Sequence, residues 1–173
     1  MRLRIPFLLA SALLAHPALS QDAAKPTDTQ IAHIAYTAGV IDIEAAKLAQ
    51  SRSDNKQVKG FAADMIRDHE AVNEKALALV KKLGVTPEDN PVSQSLKEEA
   101  DAKLSDLKAL KGAAFDRAYA QNEVAYHRQV NAALQDTLIP SAQNSELKSL
   151  LSTGLRLFQG HEQHAEHLSQ ALR

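Results

Sequence analysis

Three histidines, His69, His127 and His161, fall on or beside the apolar stripes of three different predicted helices. A histidine placed where a leucine belongs needs a reason, either a buried hydrogen bond or a metal ion. Glu123 precedes His127 by four residues and therefore shares its helical face. Asp68 adjoins His69, and His164 follows His161 within the segment HEQHAEH (His161–His167). Imidazoles gathered with a carboxylate suit Zn²⁺, Cu²⁺ or a single iron better than Mg²⁺ or Ca²⁺. Read structurally, the same side chains are core or boundary histidines bonded to carboxylates or carbonyls, with Tyr119, Asn122 and Tyr126 to complete the network.

Other chemistries fail on residue type or spacing. The chain has no cysteine, which excludes disulfides, thiolate nucleophiles and Cys-ligated zinc or iron–sulfur sites. A di-iron carboxylate bundle site needs two Glu-x-x-His pairs, and none is present. HEQHAEH fails as a zincin helix because His161 and His164 are three residues apart, not four. His167 is expected to face water. No glycine-rich phosphate loop and no strained serine turn appear, so no catalytic residue is assigned.

The elements that must position these groups are helices. Alanine and leucine dominate the apolar residues, while aromatic residues make up only 4%, which favours helix over sheet. The first pattern covers about Thr29 to Ser51, with the stripe Ile31, Ile34, Ala38, Ile41, Ala45, Leu48. Ser53-Asp54-Asn55 supplies turn and N-cap chemistry. The second covers Lys56 to Leu83, passes through Val58, Met65, His69 and Val72, and ends at Gly84. A connection with Pro87 and Pro91 leads to a shorter helix near Ser93–Leu110. The third main helix covers about Ala113 to Leu138, stopped by Pro140. Its stripe is Phe115, Tyr119, Asn122, Tyr126, Val130, Ala133, with Glu123 and His127 one position to the side. The fourth begins after Asn144 or Ser145 and passes through Leu151, Phe158, His161 and Leu168. These patterns predict an all-α, ferritin-like four-helix bundle. Two antiparallel hairpins are joined by a long crossover that contains the extra short helix. Ile34, Ile41, Met65, Val72, Phe115, Val130, Leu151 and Phe158 are expected in one core.

Heights along the helices refine the site. With the second turn at about Ala142, Glu123 lies nineteen residues before it and His161 nineteen after, at one level. With the first turn at about Ser53, Glu44 and His69 differ by seven residues, about 10 Å at the helical rise. Glu123, His127 and His161, with His164 beside them, form the best cluster. His69 joins it if the two hairpins pack at matching heights.

The first twenty residues read as a signal peptide, with Arg2 and Arg4 before an apolar run from Ile5 to Ala15 and small residues at Ala18 and Ser20. Cleavage is expected after Ser20, leaving a flexible leader over 21–28 and the bundle domain over 29–173. Losing Arg2 and Arg4 takes the formal net charge from −1 to −3. That implies an exported, periplasmic, mildly acidic protein, with no basic footprint for nucleic acid and no transmembrane segment after cleavage.

Three segments carry a family resemblance: Ile41 to His69 with Met65-Ile66-Arg67-Asp68-His69, Leu107 to His127 with Phe115-Asp116-Arg117-Ala118-Tyr119 and Val124-Ala125-Tyr126-His127, and the helix bearing His161. From about Gln30 to Leu172 the chain resembles a family of exported bacterial ferritin-like bundles of unassigned function, often labelled outer-membrane or membrane proteins. The resemblance implies that fold and an envelope address. It brings Glu44, Asp68, His69, His127 and His161 forward as the positions that fit the family. Two functions follow from the sequence. One is a non-catalytic bundle that binds an envelope partner or itself in a structural or stress role. The other is a Zn, Cu or Fe protein using the His/Glu cluster.

Overall fold

Four of the long helices start at a side chain that satisfies free backbone amides of the first turn, and the one starting at Gly112 has no such cap. The computed structural model describes residues 25–173. The expected signal peptide, its cut after Ser20 and the first half of the leader lie outside the described residues. Helix α1 (Asp28–Arg52) starts at Thr27, whose hydroxyl accepts from the Gln30 amide while the Gln30 side chain accepts from the Thr27 amide. Helix α2 (Lys56–Leu83) is capped by Asn55 and ends on Gly84 in the left-handed conformation, φ 65°. Helix α3 (Pro91–Lys108) starts at Asn90 with proline in its first turn. Helix α4 (Gly112–Ala133) continues through a π-helical turn (Leu134–Leu138) into α5 (Ile139–Ser141). Helix α6 (Ser145–Ala171) is capped by Asn144.

Pro140 does not stop the third main helix, contrary to the sequence expectation. Proline has no amide hydrogen and crowds the carbonyl four residues earlier. The chain answers by widening one turn, with the Ile139 amide reaching back to the Leu134 carbonyl. Helical structure then runs on to Ser141.

The ring of neighbours is α1, α2, α6, α4, with α3 lying outside against α1 and α4. The Asp28 carboxylate accepts from the Gln143 and Asn144 amides, so the α5–α6 turn sits beside the start of α1. Lys82 pairs with Glu146 at the same end, here called the lower end. The Asn90 amide reaches the Gln30 carbonyl below, and Arg52 reaches the Lys108 carbonyl above. The crossover helix thus climbs the whole bundle, and α4 runs parallel to α2. The all-α architecture of two antiparallel hairpins and a helix-bearing crossover is the one predicted. Among the described residues, no helix is long and apolar enough to cross a membrane.

The core is not continuous. Phe61, Met65, Phe115, Tyr119, Leu107 and Leu168 pack in the upper half. Ile31, Ile34, Leu138, Leu147, Leu151 and Phe158 form a separate lower cluster. Val72 and Val130, expected in a single core, are only half-buried beside the lower cluster. Phe115 is fully buried in the upper cluster. Phe115→Ala is expected to cost about 3–5 kcal/mol in urea unfolding, and a loss below about 1 kcal/mol would contradict this packing.

Candidate metal centre

Between the two apolar clusters lies a layer of ionisable side chains. Helix α1 contributes Asp42, α2 His69, α4 Glu123 and His127, and α6 His161. None is more than 6% exposed. Asp42 Oδ2 stands 3.5 Å from His69 Nε2 and 3.4 Å from His127 Nε2. The His161 ring centre is 5.3 Å from that of His69 and 5.4 Å from that of His127. Each of these three histidines brings a ring nitrogen within 4.8 Å of the other two, and Asp42, Glu123 and His127 do the same with one ligand atom each.

Hydrogen bonds behind the layer orient the rings. His127 Nδ1 lies 3.0 Å from the Glu123 carbonyl, so it donates there and leaves the Nε2 lone pair facing Asp42. His161 Nε2 lies 3.1 Å from Asp68 Oδ2, so it donates there and leaves Nδ1 free. Asp68 is itself held by the Arg67 guanidinium. The His69 ring stacks on Phe158 at 4.5 Å. Imidazoles fixed from behind by a carboxylate or a carbonyl are the arrangement that metal-ligating histidines adopt. Within the layer, both oxygens of Asp42 and Glu123, both nitrogens of His69, His127 Nε2 and His161 Nδ1 have no hydrogen-bond partner among the described residues.

Burial decides the protonation states. Desolvation holds His69 well below its ordinary pKa, helped by the neighbouring His127 and His161. Desolvation brings His127 down to about 4 against the opposing pull of its bond to the Glu123 carbonyl. His161 is lowered by burial, against the raising effect of Asp68. Burial raises Asp42 to about 7. Glu123 goes well above its ordinary value, through burial and then the Asp42 charge. Neutral imidazoles are the form that binds metal.

The structure brings together His69, His127, His161 and Glu123 from the sequence-derived set. Asp68 stands behind His161 rather than in the layer. His164 is exposed, its ring centre 5.0 Å from that of Phe61 and outside the cluster, and His167 is exposed as well. Glu44 is exposed on the outer face of α1. The buried positions of α4 are Phe115, Asp116, Tyr119, Ala120, Glu123, His127 and Asn131, so the expected stripe holds at Phe115 and Tyr119, while further along Glu123 and His127 take the buried places expected for Asn122 and Tyr126. Asn122 and Tyr126 turn toward a cavity between α1, α3 and α4. With α3 packed outside α1 and α4, the buried face shifts by one residue only beyond Tyr119.

Sequence reasoning missed Asp42. Taking the first turn as Ser53–Asn55, Asp42 lies ten residues before Arg52 and His69 thirteen after Lys56, an offset of about 4.5 Å. Side chains lean toward the N-terminus of their own helix. In an antiparallel pair this swings Asp42 and His69 toward each other and closes the gap. Glu44 sits about 200° further around α1 and points away. The available signal was the spacing of Asp42, four residues after Ala38 and three before Ala45.

A family model described as "Domain of unknown function (DUF4142)" matches residues 13–168. A structure described as "CopM in the Cu(II)-bound form" is similar with a TM-score of 0.66 and 14% identity, over 86% of this chain and 99% of that one. "Crystal structure of putative secreted protein DUF305 from Streptomyces coelicolor" is similar with a TM-score of 0.63 and 14% identity, over 84% of this chain and 88% of that one. At that identity both likenesses speak for the fold alone. No curated protein matches the chain.

The opposed shifts give metal-free protein a defined pH response. Asp42 keeps a proton in the folded state that the unfolded chain releases above 3.8, so its contribution falls as pH rises toward 7. The lowered histidines act in the opposite sense, losing stability as pH falls below 6.5. Asp42→Asn removes only the first effect. In chelator, the melting temperature of D42N relative to wild type is expected to rise by about 5 °C or more between about pH 5 and pH 8. A difference independent of pH would contradict the buried carboxyl.

Proposed function

We propose that this chain, which belongs to the DUF4142 domain family, is an exported metal-binding protein of the cell envelope. One transition-metal ion would sit inside the bundle on His69, His127 and His161, with Asp42 as the fourth ligand and Glu123 beside it. The observation that carries this reading is the set of unpartnered nitrogen and oxygen atoms converging at one buried level. Buried polar groups in a purely structural layer are paired, because each unpaired one costs about 1–3 kcal/mol. A divalent ion would supply the missing partner to one nitrogen of each imidazole and to the Asp42 carboxylate. It also neutralises the two carboxylates, whose ionisation burial otherwise opposes. Nitrogen ligands with a carboxylate favour Cu²⁺ or Zn²⁺ over Mg²⁺ or Ca²⁺. The Cu(II)-bound state of one structural neighbour makes copper the first ion to test.

When bound, the ion supplies a Lewis-acidic centre; the protein's part is to hold and orient the ligands. Asp68 keeps the His161 ring turned inward, and the Glu123 carbonyl does the same for His127. No residue is assigned a catalytic role. The non-catalytic, partner-binding reading leaves the buried layer without a purpose, and the metal reading is preferred for that reason.

Untagged protein, stripped with chelator and titrated with Cu²⁺ or Zn²⁺, is expected to take one ion per chain. At a hundredfold excess over Kd the ion adds about 2.7 kcal/mol, a rise in melting temperature of about 5–10 °C. His161→Ala and Asp42→Asn are expected to lower affinity at least tenfold, whereas the surface double variant His164→Ala/His167→Ala keeps it. Substoichiometric metal, or loss of binding only in the surface variant, would defeat the proposal. Intact-mass measurement of the periplasmic fraction tests export, with a mature chain starting at Gln21 expected. Full-length chain confined to the membrane pellet would contradict it.

A further inference from the structure

The two halves of the bundle are filled very differently. Above the polar layer the interior is occupied by Phe61, Met65, Phe115 and Tyr119, all 1% exposed or less. Below it the inward positions include Ala35, Ala38, Ala76 and Gly154, and they leave a cavity of about 800 Å³. That volume is in the range of small-molecule sites. The lining runs along α1 from Thr27 to Gly39, about 18 Å of helix, so the space is elongated. An unfilled space of this size forfeits the packing contacts of its walls, and apolar cavities take up apolar molecules rather than water.

The cavity also has a polar floor. His69 and His127 line its inner end, 3% and 1% exposed. His69 Nδ1 and Nε2 and His127 Nε2 have no hydrogen-bond partner among the described residues. The Asp42 carboxyl lies immediately behind them. Among the described residues the lysine or arginine that lines the cavity is Lys25, at the opposite end, so an anionic head group at the floor would lose its hydration with no cation to match it.

We infer that the lower half of the bundle binds an elongated, uncharged apolar small molecule whose single hydroxyl or carbonyl end faces the histidine layer. The walls recognise its hydrocarbon body, and the floor admits one neutral polar group. The cavity walls do not depend on the metal reading, whereas the polar floor described is that of the metal-free layer.

The test uses N-phenyl-1-naphthylamine, an uncharged apolar fluorophore, with the protein as purified and after chelation. One probe per chain is expected, with strongly enhanced emission in both preparations. Chelated protein is then used for competition, where 1-decanol is expected to displace the probe at a concentration at least tenfold lower than decanoate. Ala35→Leu/Ala76→Leu fills the cavity and is expected to weaken the probe at least tenfold while leaving the fold intact or raising its melting temperature. Val130→Phe narrows the same cavity from α4 and gives a second reading if the double variant fails to fold. No saturable probe binding to folded wild type, or binding untouched by the filling variants, would overturn the inference. Decanoate competing as well as decanol would also overturn it, by placing a charged head at the Lys25 end. Loss of metal binding with retained probe binding would count against the metal proposal alone.

Discussion

The molecule is organised around the burial of five ionisable side chains at one level of a helical bundle. Taking a carboxylate or an imidazolium out of water is expensive unless the charge is removed or matched. Without an ion, the layer survives by neutralisation: the imidazoles stay deprotonated and the carboxyls stay protonated. With a divalent ion, the two carboxylates and the metal cancel, and the imidazole lone pairs point at a partner. The layer is thus tolerable without metal and far better satisfied with it. It also explains the divided core, since the apolar clusters above and below must each hold their half of the bundle together.

That division places demands elsewhere. Helix α1 is buried on most of its circumference, including Thr37, Asp42 and Ile43, because α3 covers the side that α2 and α4 leave open. The ends of the bundle are tied by polar contacts such as Asp28 with the Gln143 and Asn144 amides. The π turn ahead of Pro140 keeps α4 helical past a residue that would otherwise end it, and Leu134 and Leu138 from that turn close the lower cluster. Gly39 has a separate constraint: a Cβ there would meet the Asn73 side-chain oxygen at 2.4 Å, so α1 and α2 approach closely at this point.

Much of this was legible in the sequence because it is local. Asn55, Gly84 and Asn144 mark helix ends through caps that need only neighbouring backbone. The histidines stood out because imidazoles interrupted apolar periodicity. Counting residues from each turn led to the expectation that His161 lies level with Glu123; in the structure His161 stands beside His127, one turn along α4 from Glu123. What escaped was non-local. The shift of the buried face of α4 beyond Tyr119 depends on where the crossover helix lies, and nothing in the α4 stripe records that. Asp42 escaped because its turn already offered Ile41 as the apolar residue, and because the lean of antiparallel side chains outweighs a small offset in backbone height. The hollow lower half escaped because alanine and glycine at inward positions look the same whether helices close on them or stand apart.

The central claim is that the buried layer is a ligand set for one metal ion. X-ray absorption on copper- or zinc-loaded, untagged protein reads that set directly. The account predicts three imidazole nitrogens and a carboxylate oxygen at about 2.0–2.2 Å, with the oxygen contribution altered by Asp42→Asn and one imidazole lost in His161→Ala. A shell of oxygen scatterers with fewer than two imidazoles, or one changed only by removing the exposed His164 and His167, would contradict it.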